Sequence, residues 1–253
     1  MLEDEILHVL SHDEEISRAI VVDNEESWGI REKIGERVPG VEVEFVSEEG
    51  IPHLPSSPDF QVLLWMKDLG LHESPEKLKE DIRATLERVD GACDAVLLFY
   101  GLCGNAFRDL NALCEGLHTP LTILVDSRGE VVDDCIAAVV GGRVPYKEMV
   151  EKFKGVYFMT PMWASTWREM AEKTRVVPDG YNYDLMRLVF RTSGYNKVIK
   201  IDTGLGDQED YERRVEEFSR IFEMERRRMD GDLDPIYRSY RNAKDLLRSQ
   251  AGS

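Results

Sequence analysis

Short runs of β-branched and aromatic residues alternate along the chain with longer amphipathic, heavily charged stretches. That is the pattern of repeated βα units rather than of a helical bundle or a β-sandwich. The runs Ala19–Asp23, Val41–Val46, Ala95–Tyr100, Leu121–Val125, Val156–Thr160 and Lys197–Asp202 are predicted strands. Most are continuously apolar, as in strands covered on both faces. Between them, periodicity predicts helices over Glu3–Leu10, Ser27–Arg37 with Ser27 as N-cap, Pro75–Val89, Asn105–Glu115, Asp134–Val140, Trp163–Lys173, Asp184–Thr192, and a long one from Gln208 to about Met229. A terminal helix over Pro235–Arg248 follows, with Pro235 in its first turn and Ile236, Tyr237, Tyr240, Leu246 and Leu247 as its apolar residues. The expected fold class is α/β: a doubly wound, mostly parallel, Rossmann-like sheet with long C-terminal helices. It is expected to form a single domain over residues 1–253, with 208–253 as a helical segment packed on it.

Two stretches depart from the regular alternation. Ser47–Asp59 carries Gly50, Pro52, Pro55, Pro58 and the Ser56–Ser57 pair, and reads as a surface connection or a lid. The chain also opens on a helix-like Leu2–Leu10, where a βαβ fold normally opens on a strand.

Composition supports a packed interior, with 9 Phe, 9 Tyr and 4 Trp in 253 residues. The formal net charge of −17 repels a phosphate backbone and an anionic membrane alike, which argues against nucleic acid and membrane as partners. Arg226, Arg227 and Arg228, and then Arg238, Arg241 and Lys244, read as a salt-bridged helical surface. No secretory or transmembrane segment is recognisable, so a cytoplasmic location is expected. The thiols of Cys93, Cys103, Cys114 and Cys135, which lack C-x-x-C spacing, are then expected to be reduced.

Candidate chemistry gathers at the turns after strands, because ligands of open α/β sheets bind beyond the carboxyl ends of the strands. The first such turn is Tyr100-Gly101-Leu102-Cys103-Gly104-Asn105. Gly101 and Gly104 let the backbone approach a ligand, and a Cys103 at a helix N-terminus would favour the thiolate. Alternatively, the glycines only make a tight turn and Cys103 is a small hydrophobe. In Asp133-Asp134-Cys135, an aspartate caps a helix and Cys135 packs in the core, or Cys135 meets Cys103 at one sheet edge and the two thiolates share a metal. Trp163, four residues before Trp167, is either a pocket wall or part of a packed helix face. The turn Asp202–Asp207 offers carboxylates, a hydroxyl and glycines, but no phosphate-loop lysine. Cys93 and Cys114 read as structural. His8 and His12 are four apart without an H-E-x-x-H pattern, and His53, His72 and His118 fall in or near loops.

Four blocks, LLFYGLCGN, VVDDCIAAVVGGR, YFMTPMW followed by WREM, and SGYNKVIKIDTGL, resemble an uncharacterised family, domain of unknown function 1638, over about Leu2 to Phe222. The resemblance implies occurrence in methanogenic archaea and anaerobic bacteria, close to corrinoid-dependent methyltransferases, and so a role in one-carbon metabolism. It carries over Cys103 from the G-L-C-G-N block and Cys135 from the D-C-I block, with Asn105, Asp134 and Trp163 as neighbours. It also implies a short strand bearing a further Cys ahead of the acidic helix that here begins at Met1.

Three functional readings follow. The first is a metal- or corrinoid-interacting accessory protein of methyl transfer. Cys103 and Cys135 would be its thiolate ligands to zinc or an iron–sulfur cluster, Gly101, Gly104, Asn105 and Asp134 would line the bound group, and Trp163 would wall the pocket. The second is a non-catalytic acidic docking partner of a corrinoid protein or methyltransferase. The third is a small-molecule enzyme using Asp134, Asp202 and Asp207 as acid or base. A homo-oligomer is compatible with all three.

Overall fold

The structure, a computed structural model, describes residues 2–173 and 183–251. Its contacts divide the chain into two compact units, Leu2–Leu124 with the chain from Tyr237 onward, and Val125–Ile236. Every strand pairing within the named sheets is parallel, and the fold is the expected α/β type.

The first unit begins with α1 (Glu3–Ser11), β1 (Ile16–Val22), α2 (Trp28–Arg37), β2 (Glu42–Val46) and β3 (Phe60–Leu64). These strands form a sheet in the order β2-β1-β3. The chain therefore adds β2 on one side of β1 and then crosses to add β3 on the other, a topological switch point at β1. Side chains alternate across this sheet as its pleat requires. Ala19, Val21, Val62 and Leu64 face a core with Leu7 and Leu10 of α1 and Ile30 and Ile34 of α2. Val22, Leu63 and Trp65 face a second core with Ile51 and Val89.

Val89 of that second core ends α3 (Pro75–Val89), which begins where expected. Ser74 accepts the Lys77 N–H at 3.3 Å, Pro75 occupies the first turn, and Leu78, Ile82, Leu86 and Val89 form its buried stripe. Next come β4 (Val96–Leu98), the short α4 (Leu110–Cys114) and β5 (Leu121–Ile123), with β4 and β5 paired. The last helix, α10 (Asp234–Ala251), returns to this unit. Tyr240 and Lys244 both donate to Asp13, at 2.7 and 2.6 Å, and Lys244 lies over the Phe60 ring.

The second unit holds α5 (Cys135–Val139), α6 (Arg143–Lys152), β6 (Val156–Met159), α7 (Pro161–Lys173), α8 (Tyr183–Thr192), β7 (Lys197–Asp202), α9 (Gln208–Ile221) and β8 (Glu225–Asp230). Its sheet runs β6-β7-β8. An aromatic core joins sheet to helices: Tyr157 of β6 stacks on Phe218 of α9 at 4.9 Å, and Trp167 of α7 meets Phe218 and Phe222 edge-on.

Four expectations are corrected. The helix from Gln208 stops at Ile221. Glu223 takes the left-handed conformation (φ 55°) and Met224 donates back to the Ser219 carbonyl, a C-terminal cap made without the usual glycine. The arginines 226–228 therefore lie on a strand whose partner is β7, and their ion pairs to Glu212, Glu225 and Asp202 make a charged sheet edge. Ser27 stands at the N-cap position of α2 but its side chain makes no capping bond there; its hydroxyl instead accepts the Asn24 N–H at 3.3 Å, across a short 3-10 turn, Glu25–Ser27, ahead of the helix. Phe60–Leu64, adjoining the irregular stretch, is a strand. Residues Asn105–Asp109 are not helical, so Cys103 does not stand at a helix N-terminus. No helix of the described residues is long and apolar enough to cross a membrane.

Candidate functional site

In the first unit, the carboxyl ends of β1, β3 and β4 lead into Asp23–Asn24, Trp65–Asp68 and Phe99–Cys103. Asn24 ties the first two turns together across the switch point by donating its Nδ2 to the Met66 carbonyl at 2.8 Å. That bond fixes the carboxamide's orientation, since only the nitrogen can face a carbonyl. It leaves Asn24 Oδ1 buried without a hydrogen bond, as is the indole Nε1 of Trp65. Buried polar atoms are nearly always paired, so two orphans at one strand edge mark it out.

Lys67 follows on the α3 side. Its Nζ is 2.9 Å from Asp81, 3.0 Å from Thr85 Oγ1 and 4.8 Å from the centre of the Trp65 ring. Its charge is therefore compensated. Tyr100 is packed edge-on against Phe107 at 5.4 Å. Burial first, and then the neighbouring charges of Cys103, Asp81 and Asp68, hold its phenol above the usual tyrosine range. Tyr100 thus stays a neutral hydrogen-bond donor at ordinary pH.

Cys103 is half-buried, and its φ is 44°, followed by 68° at Gly104 and 72° at Asn105. Three consecutive left-handed residues, two of them not glycine, fold the turn back on itself at a cost of about 1–3 kcal/mol for each non-glycine member. A Cβ on Gly104 would lie 3.2 Å from the Pro75 ring, and Gly101 is buried. The thiol therefore sits on a strained turn at the sheet's carboxyl edge, close to a neutral phenol. This arrangement can offer one soft sulfur ligand together with hydrogen bonds.

Cys135 belongs to the second unit, on the single-turn α5. Asp134 caps that turn, accepting the Ile136 and Ala137 N–H groups at 2.9 Å each. The Tyr146 phenol is raised by burial and by its hydrogen bond to Asp134. Asp126, buried nearby in sequence, accepts the backbone N–H groups of Arg128, Glu130 and Arg143 and so acts as a structural carboxylate. Trp163 is half-buried and packs edge-on to Tyr157 at 6.3 Å, against the aromatic core. Asp207 caps α9, and Asp202 accepts from Gly204 and pairs with Arg228.

Among the described residues, no three His, Cys, Asp or Glu side chains form a group that could hold a metal ion. A structural zinc site or an iron–sulfur cluster is built on about four protein ligands, so the donor set at Cys103 does not fit either as a resident metal. Burial pushes the Cys93 thiol up to about 11 and also raises that of Cys114, as suits packed cysteines. His8 meets the Tyr237 hydroxyl, and its ring lies 4.3 Å from that of His12. Lys67 and Trp65 escape a reading of the sequence because the strand that delivers them, Phe60–Leu64, is not predicted, and Asn24 and Asp81, on predicted elements, because their partners Met66 and Lys67 lie beyond that strand.

A family model described as a protein of unknown function (DUF1638) matches residues 66–240, a span that contains Cys103, Cys135 and Trp163. No curated protein and no solved structure matches the chain.

Proposed function

We propose, since this chain belongs to the family of proteins of unknown function (DUF1638), that it is an accessory protein of methyl-transfer metabolism presenting the Cys103 thiol to a corrinoid group. The observation that carries this reading is the left-handed run Cys103-Gly104-Asn105 at the carboxyl end of β4. Such strain persists where the surrounding structure over-determines the backbone, and it clusters at functional sites. A corrinoid would ask for a single sulfur contact from Cys103, where a bare structural zinc ion would need about four protein ligands. In this reading Cys103 contacts the group and Tyr100 donates a hydrogen bond beside it. The Lys67–Asp81 pair places a charge near Tyr100, and Asn24 and Trp65 supply a buried acceptor and donor at the carboxyl ends of β1 and β3. Methyl transfer itself rests on the family resemblance alone.

Anaerobic titration of the protein with a corrinoid, followed by visible absorption, tests this. Wild type is expected to shift the spectrum saturably and Cys103→Ser to leave it unchanged. No shift with either protein would discard the reading.

A second reading is favoured by the net charge of −17: a non-catalytic partner docking on a basic patch of a corrinoid protein or methyltransferase. It predicts salt-sensitive binding to such a protein that survives Cys103→Ser. Binding that is lost with the thiol, or that is insensitive to salt, would argue against it.

A further inference from the structure

Seven large apolar side chains are exposed among the described residues, and four of them, Leu185, Leu188, Val189 and Tyr195, lie within or just after α8. The helix is two-sided. Tyr183, Met186 and Phe190 pack on the aromatic core of the second unit. Leu185, Leu188, Val189 and Thr192 fall at the i, i+3, i+4, i+7 spacing of one helical face. Leu188 and Val189 at its centre are 55% and 44% exposed. Scattered exposed leucines need no explanation, but a contiguous apolar stripe on one helix does.

The charges bordering the stripe indicate what covers it. Asp184 stands at its N-terminal end, paired with Arg187 at 2.8 Å, and Arg191 at its C-terminal end, paired with Glu223 at 2.8 Å; both stay largely exposed, 90% and 70%, and so can exchange these partners for each other across a contact. They are seven residues apart, about two turns. Laid antiparallel on an identical helix about a twofold axis at Leu188, the stripe meets itself, and Asp184 of each copy comes beside Arg191 of the other. The helix dipoles then also oppose favourably. A surface that is complementary to itself under a twofold operation is what an isologous contact requires, and an unrelated partner would not demand it. We propose that the outer face of α8 is a homodimer contact, formed by antiparallel packing on α8 of a second copy.

Each copy carries a net charge of −17, so long-range repulsion opposes association and salt screens it. The dimer is therefore expected to tighten from low to physiological ionic strength. The test is sedimentation equilibrium of the full chain. Leu188→Glu places two carboxylates at the axis and is expected to weaken the dimer by about a hundredfold or more, because both copies lose an apolar contact at once. Leu188 is exposed in the monomer, so circular dichroism should be unchanged, and Tm should lose only the concentration-dependent part that dimerisation adds. Mixing Leu188→Glu with Leu188→Lys should restore a dimer. Asp184→Arg should weaken the dimer, and adding Arg191→Asp should recover it. A monomeric wild type, or a dimer indifferent to Leu188→Glu, overturns the proposal. Failure of the Asp184 and Arg191 exchange to recover binding overturns its antiparallel register.

Discussion

Replacing Glu5 by glutamine is expected to stabilise the protein, but only at a pH where the wild-type carboxyl would ionise. Glu5 lies in the first turn of α1 with 3% of its surface exposed. Burial raises its pKa from 4.5 to about 7; Asp4 adds to the rise, while its own backbone N–H and Lys33 oppose it without prevailing. The folded protein therefore keeps a proton that the unfolded chain releases. The stability this confers is fully present below 4.5 and is lost as the pH rises through about 7. A gap of about 2.5 pH units, at 1.36 kcal/mol each, amounts to about 3 kcal/mol. Glutamine has the same shape and no proton to lose. Urea unfolding should show Glu5→Gln more stable than wild type by about 3 kcal/mol near pH 8 and by less than about 1 kcal/mol near pH 5. An equal effect at both pH values, or a destabilised variant near pH 8, would refute the reasoning, because Glu5 would then be ionised and paired in the native state.

Two further perturbations probe what holds the units together internally. Lys244→Met leaves the half-buried Asp13 without its cation, though still bonded by Tyr240, and should cost about 1–2 kcal/mol in urea unfolding. Burial alone would raise the Asp13 pKa, but its bonds from Lys244 and Tyr240 outweigh that and hold it low. The pair's stabilisation is accordingly present above the ordinary carboxylate range and is lost as pH falls through the lowered value, so the variant should also show a shallower loss of stability in acid. At Gly142, with φ 109°, an added Cβ would overlap Cβ of Asp126. Gly142→Ala should therefore cost about 3 kcal/mol or more and lower the yield of folded protein, measured by circular dichroism and Tm.

The parallel α/β architecture was legible because strands buried on both faces, such as Ala19–Val22, are unbroken apolar runs that turns and charged helices punctuate. Helix α3 was legible to the residue because serine cap, N-terminal proline and buried stripe all agree. β8 was not, since Glu225–Asp230 carries the composition of a salt-bridged helix and becomes a strand only through its ladder with β7. The turn bearing Cys103 was legible as a place, from its glycines and its position after a strand. Its geometry was not: Gly104 and Asn105 are residues that tolerate a left-handed backbone, but nothing in Cys103 announces one, and Asn105–Asp109 looks helical when read without its tertiary setting. Lys67 and Asp81 lie on different elements, and only the fold brings them together, with the Asp81 charge near enough to raise the Tyr100 phenol.

Whether the turn at Cys103 holds a group can be asked of the protein as purified. Isolated without oxygen from an anaerobic, corrinoid-producing host, the wild type should retain a visible chromophore and stoichiometric cobalt, and Cys103→Ser should retain neither. Equal, negligible cobalt and colourless spectra in both preparations would contradict the thiol site.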